Sequence, residues 1–443
     1  MEHPIKIFKI NGLYGERNIR IEFDSNTKII VAENGYGKTT VLNAFYSILA
    51  GDLDRLRKLP FESISLTFIC GETAFLEKKS LSFDLSKAKN SGIYHHLRSQ
   101  LPEQTVYTLL QLSQTLPFNK LSKLPIFVNS VRKIDAGSSN LMSWLNMLTK
   151  ELGEDMPNMD EVKKVTDLVR LKFGLNVLYL PTYRRVEEDL HSLGLNDDVE
   201  VRTDYQINFG MGDVKGRIKT ITEEILVSSV EWFSKVNGEM IGQLVEGIQV
   251  DDDMYKSVAD PEAVKIVLDR IGENITSIDK DRILNLVDTG GILKEHDNLV
   301  YFLSNLVKVY EQQKENDSAI QDFTSVCNEY LVDKKILYNE SSVTISIIRL
   351  KNNKNVDWED LSSGEKQIVS LFARLYLDKS DNLAIFFDEP ELSLSIEWQK
   401  KLLPHIIKSG KCKFLFCTTH SPFIFDNELD ASASDLALYV EEL

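Results

Sequence analysis

Cysteine is scarce. Cys70, Cys327, Cys412 and Cys417 show no C-x-x-C spacing and no flanking histidine pair, so neither a disulfide framework nor a zinc knuckle is expected. They read as reduced, mostly buried thiols. A long apolar run is missing as well: the opening Met1-Glu2-His3-Pro4-Ile5-Lys6 lacks a charged region followed by an apolar stretch, and no later segment approaches the apolar length of a membrane span. A cytoplasmic protein with no membrane partner is the expectation. Positive charge is in deficit, with 51 Lys and Arg against 67 Asp and Glu and a formal net charge of -16. That balance disfavours loose adhesion to nucleic acid or anionic lipid, although a local basic groove is compatible with it. Repeats and low-complexity tracts are lacking too. The remainder, 43% hydrophobic and 27% charged over 443 residues, is the composition of a globular protein with chain enough for two or three domains.

Against these absences stands one informative stretch, Ile29-Ile30-Val31-Ala32-Glu33-Asn34-Gly35-Tyr36-Gly37-Lys38-Thr39-Thr40. A β-branched strand enters a glycine-containing turn closed by Gly-Lys-Thr, and Val41, Leu42, Ala44 and Phe45 open a helix. This is the context of a phosphate-binding loop. Gly35 and Gly37 let backbone N–H groups face one concavity at the helix N-terminus, Lys38 neutralises the β- and γ-phosphates of ATP, and the Thr39 hydroxyl is a Mg²⁺ ligand. Asn34, Gly35, Tyr36, Gly37, Lys38, Thr39 and Thr40 are therefore the expected nucleotide-binding residues. Ala32 replaces the first glycine of G-x-x-x-x-G-K-[ST], a change of one methyl. A tight turn with an incidental lysine is the competing reading, and the strand, loop and helix order weighs against it.

Short strands are expected at Ile5–Ile10, Arg20–Phe23 and Lys28–Val31, and a hairpin at Ser63–Ile69 and Thr73–Lys78. Tyr14, in the turn between the first two, reads equally as an adenine-stacking ring or a turn-flanking tyrosine. From about Leu85 helical patterns dominate. The exception is Asn176-Val177-Leu178-Tyr179-Leu180-Pro181-Thr182-Tyr183-Arg184-Arg185, a buried-strand run expected to return to the catalytic sheet. Val214, Ile218, Ile221 and Ile225, with Leu226, Val230 and Phe233 beside them, and later Leu299, Phe302, Leu306, Val309 and Tyr310, form stripes expected to line the interior of a helical or coiled-coil lobe. Asp251-Asp252-Asp253 is expected to be a solvated acidic loop. Strands resume near Lys335. The expected domains are thus 1–85 and 335–443, forming one catalytic half, and a helical insertion at 86–334 with strand 177–185 belonging to the core.

Further chemistry follows in order. Leu361-Ser362-Ser363-Gly364-Glu365-Lys366-Gln367 opens an amphipathic helix and reads either as an anion site or as a capping box of Ser362 with Glu365. Leu383-Ala384-Ile385-Phe386-Phe387-Asp388-Glu389 is an apolar strand ending in two carboxylates, which need partners or a metal when buried. Asp388 is the expected Mg²⁺ ligand opposite Thr39, and Glu389 the base that orients and deprotonates the attacking water. Phe414-Leu415-Phe416-Cys417-Thr418-Thr419-His420 is a second buried strand ended by a histidine that is a γ-phosphate sensor candidate beside a phosphate loop.

Taken together, Ala32 to Thr39, Leu361 to Gln367, Phe387-Asp388-Glu389-Pro390-Glu391, Ser393-Leu394-Ser395 and Thr419-His420-Ser421-Pro422 resemble the phosphate loop, signature motif, Walker B, D-loop and switch histidine of ABC-type ATPases. The wording is similar to their SMC-like and OLD-like soluble branch. The resemblance implies an α/β P-loop fold of ABC-ATPase type, a mixed sheet plus an antiparallel β-subdomain interrupted by a large helical insertion. It also implies a nucleotide sandwiched between two copies, with Ser362, Ser363, Gly364 and Glu365 of one facing the γ-phosphate held by Lys38 of the other. Departures are Ala32, Ser363 in place of glycine, Ser395 in place of Asp or His, and the lack of a Q-loop glutamine, in whose place Tyr179 to Arg185 falls.

More than three hundred residues separate Lys38 from Ser362, which disfavours a transporter subunit. One reading is the ATPase of a bacterial antiphage system, resembling those of PARIS and then Septu systems. It would be a homo-oligomeric scaffold whose lobe senses a viral trigger protein and whose surface controls a separate nuclease effector. OLD nucleases place a toprim domain after the ATPase, and only Ser421 to Leu443 follow His420 here, so any nuclease is expected to act in trans. The alternative is a RecF-like repair ATPase that clamps nucleic acid directly. Arg184 and Arg185 read equally as phosphate contacts or as structural partners of Glu187 and Glu188.

Overall fold

Alternating polar and apolar residues in the first seventy positions give strands with one buried face, and the fully apolar runs later in the chain give strands buried on both. The computed structural model describes residues 4–33, 35–81, 91–115, 117–134, 137–152, 159–181, 211–247, 249–271, 275–293 and 296–443. Along the chain run β1 (Ile5–Leu13), β2 (Arg17–Glu22), β3 (Thr27–Val31), α1 (Lys38–Ala50), α2 (Leu53–Lys58), β4 (Ser63–Phe68), β5 (Thr73–Glu77), α3 (Gly92–Gln100), α4 (Glu103–Thr115), α5 (Phe118–Leu121), α6 (Pro125–Ile134), α7 (Ser138–Leu152), α8 (Met159–Phe173) and β6 (Asn176–Leu180). They are followed by α9 (Met211–Glu246), α10 (Asp252–Ser257), α11 (Pro261–Arg270), α12 (Ser277–Asp288), α13 (Asp297–Asn328), β7 (Lys334–Asn339), β8 (Thr344–Arg349), β9 (Asn355–Val356), α14 (Ser363–Tyr376), β10 (Leu383–Asp388), α15 (Ile396–Lys408), β11 (Cys412–Thr419), β12 (Ala433–Asp435) and β13 (Val440–Glu442).

The chain divides into two units: Met1–Tyr179, Leu383–Glu389 and Lys413–Leu443 form the first, Leu180–Asn382 and Pro390–Cys412 the second. Residues 86–334 are thus shared between them. In the first unit, one sheet has the order β12-β3-β11-β10-β6 and the other the order β13-β2-β1-β4-β5. β3 runs parallel to β11 with Val31 opposite Thr419, so both strands release the chain at the same edge. β1 is antiparallel to β2 and β4. The mixed α/β architecture expected from the motifs is therefore observed.

Helix α1 carries apolar residues on both flanks because it is buried on both. Phe45 stacks on Phe8 of β1 at 4.5 Å and meets Phe416 of β11 at 5.0 Å and Phe386 of β10 at 5.2 Å edge-on. Burial of such a ring is worth roughly 1.5–3 kcal/mol and fixes the start of α1 against the strand ends. Helices α3 to α7 enclose a separate core around Leu97, Leu109, Phe127, Leu141 and Leu145.

In the second unit β7, β8 and β9 form an antiparallel sheet, and a core around Val264, Leu268, Val300, Leu303 and Val307 joins α11 to α13. Arg270 and Asp317, both almost fully buried, pair at 2.8 Å, and Gln313 accepts from Arg270 at 2.7 Å. Two expectations need correction here. Leu226, in the second stripe of α9, is not interior but 48% exposed; helical spacing identifies a stripe but not what covers it. Asp251 to Asp253 is not a loop: Asp251 accepts from the Met254 amide and caps α10, whose first turn takes Asp252 and Asp253 against its positive end.

Candidate functional site

Three strand ends of the first unit meet the start of α1. Gly37 caps that helix in the left-handed region at φ 89 and Gly35 holds φ 87; a Cβ on either would meet no atom within 4 Å, so the loop is open on the side a side chain would take. Only glycine tolerates that backbone cheaply. The first turn of α1 has no acidic residue and its cap makes no side-chain bond, leaving the positive end of the helix dipole to an external anion. Lys38 is almost fully buried, and its ammonium donates to the carbonyl of Ala32 and, at 3.0 Å, to that of Glu33. Asn34 lies outside the described residues.

A cleft of about 360 Å³ is lined by Gly35 to Thr40, by Leu13, Tyr14, Glu16 and Arg17 at the β1–β2 turn, and by Glu389. Tyr36 is half exposed at its rim. Tyr14 sits in the left-handed region at φ 58, and its hydroxyl lies 3.3 Å from the Thr40 hydroxyl. This one tyrosine is therefore both a turn residue and a wall of the cleft.

Asp388 is fully buried at the end of β10. Its Oδ1 accepts from the Thr39 hydroxyl at 3.2 Å and from the Thr418 hydroxyl at 2.8 Å. A buried carboxylate beside a helix-start hydroxyl is an oxygen donor set that fits Mg²⁺, which takes one or two protein oxygens and keeps several waters. Glu389, the next residue, has φ 48 and donates its amide to the Thr418 carbonyl at 2.9 Å. A non-glycine residue held there costs of order 1–3 kcal/mol, and the bond to β11 pins the carboxylate at the cleft. His420 is exposed at the end of β11, one residue beyond the pairing of Thr419 with Val31.

The remaining sequence-predicted residues belong to the second unit. Ser362 caps α14: its hydroxyl accepts from the Glu365 amide at 3.4 Å, while Glu365 Oε2 accepts from the Ser362 amide at 2.7 Å. The capping box therefore forms, and Ser362 and Ser363 still expose their side chains. Glu365 is buried and bonded by the Lys334 ammonium at 3.0 and 3.2 Å. Burial pulls the Lys334 pKa down, but its bonds to Glu365 and Asp333 outweigh that and hold it above the ordinary lysine value. Gly364 packs on the turn before α15, where Ser393 holds φ 67. A Cβ on Gly364 would lie 2.6 Å from the Ser393 carbonyl oxygen and 3.3 Å from Trp398. Gly364→Ala is therefore expected to destabilise this unit by about 1–3 kcal/mol, read as a lower thermal midpoint with unchanged helix content; an unaltered midpoint would mean that the turn yields without cost.

Sequence reasoning missed Leu13, Glu16, Arg17, the Thr418 hydroxyl and Lys334. The Thr418-Thr419 pair before His420 was a signal for one of them; the others carry no local signature. Of the segment that falls in place of the Q-loop, residues 182–185, with Arg184 and Arg185, lie outside the described residues, as do Val230 and Phe233 as side chains. Among the described residues no group of three or more His, Cys, Asp or Glu side chains forms a metal-binding cluster, and no helix is long and apolar enough to cross a membrane.

A family model described as AAA ATPase domain matches residues 5–425. No curated protein matches. Among solved structures, the chain is similar to an Smc head domain with an extended coiled coil bound to the C-terminal domain of ScpA from Pyrococcus furiosus, at 12% identity and TM-score 0.34, covering 96% of this chain and 91% of that one. It is also similar to an SmcHead bound to the C-winged helix domain of ScpA, at 11% identity and TM-score 0.32 with 95% and 90% covered. An Smc head domain with a coiled coil and joint from Pyrococcus yayanosii gives 14%, 0.32, 96% and 93%.

Proposed function

Since the chain belongs to the AAA ATPase domain family, we propose that it binds ATP with Mg²⁺ in the cleft at the start of α1 and hydrolyses it slowly, as a control step. The observation that carries this reading is the meeting of Thr39 and Thr418 on the buried Asp388 beside a glycine loop whose helix has no acid of its own. Bound Mg²⁺ would supply charge neutralisation for the phosphates. Thr39 and Asp388 would hold it. Lys38 exchanges its carbonyl partners for phosphate oxygens, a stronger, charge-assisted bond. Glu389 accepts the proton of the attacking water, and His420 reports the γ-phosphate at the strand edge.

Two copies complete the site in this reading. Ser362, Ser363, Gly364 and Glu365 of one copy face the γ-phosphate held by Lys38 of the other, and the exposed hydroxyls of Ser362 and Ser363 at a helix start support it. ATP then governs assembly. The wording of the motifs supports the finer proposal, a cytoplasmic homo-oligomeric scaffold of an antiphage system that answers a viral trigger protein and controls a separate nuclease. Tagged protein expressed with its own operon is expected to recover a small nuclease subunit. Recovery of the chain alone, with ATP-dependent clamping of duplex DNA that Lys38→Ala abolishes, is what the repair-ATPase alternative requires.

A further inference from the structure

Residues 91–152 differ in charge from the rest of the chain. They hold six Lys and Arg and only three Asp and Glu, a formal charge of +3, whereas the remainder carries -19. These residues are helices α3 to α7, which share a core of their own, so the asymmetry belongs to one folded body. Of its three acids, Glu103 is engaged by Arg98 at 3.6 Å and by the Tyr94 hydroxyl at 3.2 Å, Glu151 is exposed near the end of α7, and Asp135 lies outside the described residues. Lys120, Lys123, Arg132, Lys133 and Lys150 are all exposed, and none of the five makes an ion pair with another described residue.

Their placement follows the fold. α6 buries Phe127, Ser130 and Ile134 and turns Asn129, Arg132 and Lys133 to solvent, three residues one helical turn apart on a single stripe. Lys120 and Lys123 stand before its N-terminus. Ten residues of helix span about 15 Å, the axial rise of roughly four base pairs of a duplex, and Arg132 and Lys133 both lie in the last turn of α6. The bundle also exposes Gln104, Asn119, Asn140 and Asn146, residue types that bond to phosphate and sugar oxygens without reading sequence. None of these residues lines the ATP cleft.

We propose that the α3–α7 bundle is a nucleic-acid-binding module that holds the sugar-phosphate backbone of a duplex along α6, independently of sequence and of ATP. The acidic remainder of the chain opposes long-range approach and keeps binding weak, and counterion release from the contacted phosphates makes that binding fall with salt. The test is fluorescence anisotropy of labelled mixed-sequence DNA and RNA duplexes against the full chain over a salt series, with and without ATP. The expected result is binding in both nucleotide states that weakens steeply with salt. Lys120→Glu, Lys123→Glu, Arg132→Glu and Lys133→Glu together should weaken it at least tenfold and reduce the salt slope by about 3 to 4, at about 0.9 per phosphate contact. The matching glutamine variant should lie between, with ATP binding and thermal midpoint unchanged in both. Wild-type affinity in the charge-reversed protein, no binding of either duplex, binding seen only with ATP, or displacement by polyglutamate as effective as by duplex at equal charge would each overturn the proposal. ATP binding, measured separately on the same samples, keeps its failure distinct from failure of the ATPase reading.

Discussion

Lys38→Ala is expected to lose ATP binding by at least a hundredfold while the fold survives. Lys38 is the first residue of α1, and its ammonium is held by two loop carbonyls at a helix end that has no acid in its first turn. A phosphate entering the loop meets a cation already confined near its binding position, so little side-chain entropy remains to be lost. A charge-assisted bond to phosphate contributes roughly 1.5–3 kcal/mol, and the β- and γ-phosphates would both lose theirs. Alanine keeps helix propensity at this position, so damage to α1 itself is small. Equilibrium binding of a fluorescent ATP analogue, with the thermal midpoint as control, decides the matter. Wild-type affinity in Lys38→Ala would remove the nucleotide from this cleft.

The strand, loop and helix around Lys38 and the apolar strand ending in Asp388 were legible because their chemistry is local. A glycine turn, a helix start and a carboxylate pair are each written within a dozen consecutive residues. Ser362 was legible only as far as two readings, since one capping-box sequence serves both a plain helix start and an exposed hydroxyl pair. The contacts that shape the site were not legible. Lys334 reaches Glu365 across thirty-one positions, and Thr418 reaches Asp388 across thirty. The need for glycine at 364 is set by the carbonyl of Ser393, which no spacing rule names. Leu226 shows the opposite error, since periodicity predicts a stripe but burial depends on a neighbour that the pattern does not contain. The charge of the α3–α7 bundle was present in the composition all along, masked because a net charge of -16 averages it away.

Glu389→Gln is expected to retain ATP and to trap the associated form. Glutamine has nearly the same shape as glutamate, so the backbone at φ 48 and the amide bond to the Thr418 carbonyl are preserved. What disappears is the capacity to accept a proton from water. General-base assistance is worth roughly 10²–10⁴ in rate, so turnover should fall by that factor while ATP affinity changes by no more than a few-fold. If ATP bridges two copies through Lys38 and the Ser362 to Glu365 segment, slower hydrolysis lengthens the life of the bridge. Light scattering with ATP and Mg²⁺ should then show a dimer or larger assembly in Glu389→Gln at concentrations where the wild-type chain returns to smaller species. The two halves of this expectation fail separately. A wild-type rate in Glu389→Gln would place the base on another residue, and ATP retained by an unassociated chain would confine the nucleotide to one copy. Adding Ser362→Arg to Glu389→Gln refines the second half, because a bulky side chain at the exposed start of α14 should dissolve the assembly without releasing the nucleotide, as a γ-phosphate contact made in trans requires.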